Sequence, residues 1–224
     1  MTHPKPMGEL VRSMMPKLAE LTDDDWARRD AEVQATLESE DTRRREEQQR
    51  RLVAALVEVG LSDLHVEIAL GEPLETPGVV TVRGMTGRGI WVLAGGVGCG
   101  KTTAVHTWLL PKTGRIEPQT VAFVSSHEFA RTSRYEGKIE RLTEPDRLAI
   151  DDLGVEYLDS KGSALVDYDE LLDTRVRTGR GTLLTTNLSP EAFRSRYGAR
   201  IVDRVREHGG WHTVDGPSLR GRRP

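Results

Sequence analysis

Residues 90–103 read Ile90-Trp-Val-Leu-Ala-Gly-Gly-Val-Gly-Cys-Gly-Lys-Thr-Thr103. The apolar run Ile90–Ala94 is rich in β-branched and aromatic residues, the composition of a buried strand. Gly95, Gly96, Val97, Gly98, Cys99, Gly100, Lys101 and Thr102 then fit the phosphate-loop spacing G-x-x-x-x-G-K-[ST]. From Thr102 and Thr103 onward the chain reads as a helix, stopped by Pro111. The flanks make the pattern specific, since a glycine-rich turn beside a surface lysine would lack both. Glycines let backbone N–H groups wrap a phosphate, and the helix N-terminus adds partial positive charge. Lys101 is placed to reach the β- and γ-phosphates of a nucleotide, and the Thr102 hydroxyl to ligate Mg²⁺.

The full chain of 224 residues leaves room for one medium domain and an appendage. Charged residues make up 30% and hydrophobic ones 37%, but the charge is concentrated in the N-terminal quarter, so a normal core remains possible beyond it. A net charge of −3 does not mark a nucleic-acid binder; local basic patches must carry that reading. The single cysteine, Cys99, excludes an internal disulfide and suits a reducing cytosol. His208 and His212 are separated by Gly209-Gly210, which argues against a metal-binding helical face. With no apolar run of spanning length and no signal-peptide core, a cytoplasmic protein without a membrane partner is expected.

Before residue 90, Glu9–Leu21 has helical apolar spacing interrupted near Pro16, and Thr22-Asp23-Asp24-Asp25 reads as a helix cap. A long polar helix follows from Asp24 to about Gly60; its middle, Glu38–Arg51, fits a solvated linker as well as a partner-binding helix. Leu61–Leu70 reads as a short helix and Val79–Val82 as a possible strand. The domain division falls between about residues 50 and 75, giving a helical region 1–70 and a nucleotide-binding domain 71–224. Beyond residue 103, Lys112–Gln119 is a turn region, and Val121–Ser125, Leu148–Asp152, Gly181–Asn187 and Trp211–Val214 read as strands. A charged, partly helical connection (His127–Arg147) and helices over Tyr168–Thr178, from Ser189-Pro190, and over Ala199–Glu207 separate them. Strands alternating with helices predict an α/β fold: a five-stranded parallel sheet with helices on both faces.

In such sheets ligands sit beyond the carboxyl ends of the strands. Asp151 and Asp152 end the apolar strand after the phosphate loop, where one carboxylate can hold Mg²⁺ and the other can orient or deprotonate a water. Asn187 ends the next strand and can bond that water or the γ-phosphate; an Asx turn before Ser189-Pro190 is the alternative.

Leu183–Val205 (Leu-Leu-Thr-Thr-Asn-Leu-Ser-Pro-Glu-Ala-Phe-Arg-Ser-Arg-Tyr-Gly-Ala-Arg-Ile-Val-Asp-Arg-Val), Ile150–Gly154 and the loop Gly-Val-Gly-Cys-Gly-Lys-Thr resemble the DnaC-type bacterial replicative helicase loaders. These are AAA+ ATPases related to DnaA and to the IstB transposition ATPases, and the similarity spans about residues 85–224. The resemblance implies an ATPase using ATP and Mg²⁺, without a full C-terminal helical lid. It implies sensor 1 at Asn187, an arginine finger at Arg204 reaching a neighbouring subunit of a homo-oligomer, and a sensor-2 arginine at Arg220. Asp152 stands where many AAA+ proteins carry Glu, so slow, assembly-dependent turnover is expected. Single-stranded DNA would lie against the basic stretch with Arg131, Arg134 and Lys138, and against Lys161 and Tyr168. The helices at Glu9–Arg51 would grip the replicative DNA helicase. An IstB-like regulator of a transposase is the nearest rival. A small-molecule kinase and a non-hydrolysing ATP-binding module are the readings from other classes.

Overall fold

The computed structural model describes residues 22–58, 61, 66–67, 75–109, 121–132, 138–158, 162–216 and 218. The helices expected at Glu9–Leu21 and over most of Leu61–Leu70, and the turn region 112–119, lie outside these residues. The chain divides into two compact units, 1–51 and 52–224. Among the described residues no helix is long and apolar enough to cross a membrane.

In the first unit, helix α1 (Asp23–Glu58) begins at a reciprocal cap. The Asp25 N–H donates to Thr22 Oγ1 (3.3 Å), while the Thr22 hydroxyl (2.7 Å) and N–H (3.0 Å) donate to Asp25 Oδ2. Those bonds from Thr22 hold the Asp25 carboxyl below its ordinary pKa. Farther along, Glu40–Arg44 and Arg43–Glu47 pair at one-turn spacing on exposed surface.

The second unit takes in the end of α1, where Leu56 is buried and Val53 packs against the core. Its elements are α2 (Pro77–Arg83), β1 (Gly89–Gly95), α3 (Lys101–Leu109), β2 (Val121–Ser125), α4 (Ser126–Thr132), α5 (Lys138–Thr143), β3 (Arg147–Leu153), α6 (Ser163–Arg177), β4 (Gly181–Thr186), α7 (Pro190–Tyr197), α8 (Ala199–His208) and β5 (Gly209–Val214). The strands form one sheet in the order β2-β3-β4-β1-β5, with every neighbouring pair parallel. The two-residue period of each strand feeds two cores. Leu93, Ala149 and Leu183 face a cluster with Val79, Val105 and Trp108, whereas Ile90, Val92, Leu148, Ile150 and Leu184 face Tyr168, Leu171, Phe193 and Ile201. Helices therefore cover both faces, as the alternating pattern predicts.

Two local readings are corrected. Val79–Val82 is not a strand: it lies in α2, where Thr76 accepts the Val79 N–H at 3.1 Å and Pro77 takes the first helical position. Val79 and Val82, three apart, are both buried, so helical phase serves the core there. The signal was a Thr-Pro cap, the same device as Ser189-Pro190, which does open α7 with Ser189 Oγ accepting the Ala192 N–H at 3.2 Å. The helix expected from Tyr168 starts five residues earlier, at Ser163.

The amino-terminal ends of β3 and β4 are clipped together by Arg175, which has no exposed surface. Its Nε donates to Thr182 Oγ1 (2.9 Å) and its Nη1 to the carbonyls of Leu142 and Pro145 (both 2.8 Å). Burial, with the Arg180 charge second, holds its pKa down to about 9. This clip leaves the opposite, carboxyl ends of the strands for the site.

Candidate nucleotide site

The phosphate loop leaves β1 at Gly95 and enters α3 at Lys101. Gly98 (φ +83°) and Gly100 (φ +90°) adopt left-handed backbone that disfavours a side chain. A Cβ at Gly100 would also lie 3.0 Å from Thr76, so the cap of α2 braces the loop from outside. Lys101 is only 6% exposed. Its Nζ donates to the carbonyls of Gly95 (2.9 Å) and Gly96 (2.8 Å) and to Asn187 Oδ1 (2.7 Å). One ammonium group thus links the loop after β1 to the residue that follows β4.

Thr102, in the first turn of α3, donates its hydroxyl to Asp151 Oδ2 at 3.2 Å. Asp151 is buried at the end of β3, and its other oxygen accepts the Thr185 hydroxyl. That same Thr185 oxygen accepts the Asp152 N–H at 2.9 Å. The Asp152 carbonyl accepts the Ser126 hydroxyl at 2.6 Å. Asp152 is the one non-glycine with positive φ among the described residues (+59°). The β3–β4 register shifts between Ile150 and Leu153, which inserts one extra residue there. In a regular strand adjacent side chains point to opposite faces. The bulge and the left-handed residue break that alternation at the two consecutive acids. Asp151 is buried against Thr102, and Asp152 is exposed.

The turn after Asp152 is bound to the segment after β4. The Thr186 hydroxyl donates to the Leu153 carbonyl at 2.7 Å and accepts the Leu188 N–H at 3.1 Å. Glu156, 2% exposed, accepts the Gly154 N–H at 2.8 Å on Oε2 and the Tyr197 hydroxyl on Oε1. Arg196 Nε lies 3.7 Å from Glu156 Oε1 and its Nη2 donates to the Glu156 carbonyl. Burial, and then the bond to Glu156, push the Tyr197 phenol far above its ordinary pKa. Burial first and the Glu156 charge second do the same to Tyr168.

Other expected site residues fall elsewhere. Arg204 is turned onto its own chain. Its guanidinium pairs with Asp169 and Asp173 of α6, both at 3.0 Å, and its side chain is 13% exposed. Ile201 and Val205 anchor α8 in the core, and this phase sets Arg204 against the acids of α6. The exposed arginines of the same stretch are Arg194, Arg200 and Arg206. Tyr168 is no DNA contact: it is 1% exposed, stacked on Phe129 with ring centroids 4.2 Å apart. Helical phase puts it on the buried face with Ala164, Leu171 and Leu172. The exposed aromatic of that region is Tyr157, 82% accessible. Arg131 is exposed at the end of α4, and Lys138 opens α5. Arg134, Lys161 and Arg220 lie outside the described residues. Ser218, two residues before Arg220, lies over the loop: its Oγ is 2.3 Å from where a Gly98 Cβ would stand.

Thr185, Ser126, Thr76 and Glu156 were not singled out from the sequence. Thr76 had a local signal in its Thr-Pro cap. The others act across strands, and no spacing announces them.

The sheet order, the glycine loop from β1 into α3 and the acids ending β3 define a P-loop fold of the AAA+ class. More narrowly, the chain has the fold of the DnaC-type helicase loaders. The crystal structure of the DnaC helicase loader superposes with a TM-score of 0.51 at 17% identity, over 69% of this chain and 100% of that one. A candidate primosome component from Streptococcus pyogenes serotype M3 gives 0.53 at 19%, over 75% and 98%. A DNA replication initiation factor is longer: the match has a TM-score of 0.47 at 16% identity, over 62% of this chain and 44% of that chain. No protein-family profile and no curated protein sequence matches the chain.

Proposed function

We propose that the chain is an ATP-dependent loader of the replicative DNA helicase, hydrolysing ATP in a homo-oligomer on single-stranded DNA. One observation carries the nucleotide part: Lys101, Thr102, Asp151 and Asn187 converge from β1, β3 and β4 at one end of the sheet. Mg²⁺ fits because Thr102 and the buried Asp151 carboxylate offer hard oxygen ligands 3.2 Å apart beside the glycine loop. Bound there, it supplies charge neutralisation at the phosphates.

The residues then have separable tasks. Lys101 exchanges its bonds to Gly95, Gly96 and Asn187 for phosphate oxygens. Asn187, released from Lys101, orients the attacking water, and Asp152 positions or deprotonates it. The short arm of Asp152 and its strained backbone favour slow turnover. Arg204 completes the charge stabilisation in a neighbouring subunit once it leaves Asp169 and Asp173. Arg220 acts on its own subunit's nucleotide, a reading that the approach of Ser218 to Gly98 supports. Arg131, Arg134, Lys138 and Lys161 track the DNA backbone without sequence preference, and exposed Tyr157 replaces Tyr168 as the stacking residue. The N-terminal helices in region 1–70 hold the helicase, and domain 71–224 holds ATP. The likeness in fold to the DnaC helicase loader, over 69% of this chain, supports the ATPase-domain part of this reading.

The test is nucleotide titration of wild type and Lys101→Ala, followed by affinity purification of both from a replicating host. Wild type binds ATP and brings down the helicase, and Lys101→Ala loses ATP. Equal ATP affinity in the two proteins refutes the site. Recovery of a transposase in place of the helicase would support the IstB-like reading instead.

A further inference from the structure

Glu156 stands outside the set proposed to hold phosphate and Mg²⁺, yet it is a carboxylate whose side chain has no exposed surface. Burying a charge is expensive, and an apolar residue of similar volume could fill the same space. The position of its partners explains its presence. The Gly154 N–H and the Tyr197 hydroxyl donate to its two carboxylate oxygens, and the Arg196 guanidinium donates to its backbone carbonyl. Gly154 and Tyr197 belong to two different segments. One is the turn that begins at Asp152, with left-handed residues at Asp152 (φ +59°) and Gly154 (φ +111°). The other is α7, which starts three residues after Asn187. Backbone in these regions relaxes unless its surroundings over-determine it. Below the turn, Leu188 lies 3.0 Å from where a Gly154 Cβ would stand, and Thr186 ties Leu153 to Leu188.

We infer that Glu156 is a positioning residue: through Gly154 and Tyr197 it locks the turn carrying Asp152 to the helix that follows Asn187, fixing the two relative to each other. This rests on the roles proposed above for Asp152 and Asn187. Lys101, Thr102 and Asp151 make none of these contacts, so nucleotide affinity and turnover separate. Misplacement of a reacting group by about 1 Å can cost about 100-fold in rate.

Two neighbouring tyrosines supply the control. The Tyr168 and Tyr197 rings lie 5.8 Å apart in the same core, but the buried Tyr168 hydroxyl has no hydrogen-bond partner among the described residues. Full-length wild type, Tyr197→Phe, Glu156→Gln and Tyr168→Phe are compared for ATP affinity by titration calorimetry. Turnover is measured as phosphate release with single-stranded DNA, and folding by thermal unfolding. The expected result is a turnover loss of about tenfold or more in Tyr197→Phe and Glu156→Gln, with ATP affinity within about threefold of wild type in all four and Tyr168→Phe at wild-type turnover. Turnover of Tyr197→Phe equal to that of Tyr168→Phe overturns the inference, as does a parallel loss of affinity and turnover. Should Tyr197→Phe fail to fold, Glu156→Gln against Tyr168→Phe makes the same comparison. A wild type that binds ATP without hydrolysing it overturns the enzymatic reading, and this inference with it. Unchanged variants of an active wild type overturn this inference alone.

Discussion

Replacing Thr185 with valine removes one oxygen atom that bridges both acids of the site. The Thr185 hydroxyl donates to Asp151 and accepts the Asp152 N–H at 2.9 Å, and the residue has no exposed surface. Valine keeps the shape and the strand preference. It leaves the Asp152 N–H without its acceptor, costing about 1–3 kcal/mol, and takes a charge-assisted donor from Asp151, about 1.5–3 kcal/mol. Asp151 keeps its bond to Thr102, so the lower part of the range applies, about 3 kcal/mol in all. For a chain of this size that lowers Tm by about 6–12 °C. Thr185→Ser keeps both hydrogen bonds and loses one methyl group, about 1 kcal/mol. Thermal and urea unfolding of the two variants measure the difference. Mg²⁺-dependent ATP affinity falls further in Thr185→Val than in Thr185→Ser, because Asp151 loses the bond that aims it. Equal stability of the valine and serine variants would refute the bridging role, whatever their absolute Tm.

Two further outcomes are expected, the first from the proposed finger role of Arg204 and the second from two buried phenols. Arg204→Ala leaves ATP binding by the single subunit intact and abolishes DNA-stimulated, assembly-dependent hydrolysis. Wild-type turnover in that assay would show that the contacts with Asp169 and Asp173 are the residue's whole role. Alkaline pH destabilises the second unit through Tyr168 and Tyr197, whose folded pKa values are raised by burial and then by Glu156. Their contribution is fully present below about pH 10, the unfolded value, and is lost above it. Each lowers stability by about 1.4 kcal/mol per pH unit above that point. Denaturant unfolding at pH 9, 10 and 11 shows wild type losing about 1 kcal/mol more than Tyr168→Phe between pH 10 and 11, a difference from which the opposing titration of Arg175 cancels; an equal loss in the two proteins counts against a buried, protonated phenol.

How much was legible depended on whether the information was local. The strand, glycine loop and helix over residues 90–103 form a contiguous pattern, and β1 and α3 are found there. Thr22 and Ser189 announced helix starts because a cap is decided within four residues. At Val79–Val82, β-branched residues suggested a strand, and the Thr-Pro cap with one-turn burial gave a helix. Tyr168 shows the cost of reading a residue type without helical phase: an aromatic near the acids reads as a DNA contact, but its turn of α6 faces the core.

From the amino-acid order alone came the α/β class, the parallel sheet, the phosphate loop and the acids at the end of β3, because each is written in neighbouring residues and in periods of 2 and 3.6. The tertiary structure decided what those groups touch. Lys101 reaches Asn187 across 86 positions of sequence, and Thr102 reaches Asp151 across 49. The register shift that sets Asp152 apart from Asp151 exists only where β3 pairs with β4. Glu156 finds Tyr197 41 residues away, and the packing of α8 on the core turns Arg204 toward α6. Such bonds form only after the strands have paired and the helices have docked, and a one-dimensional pattern does not encode their direction.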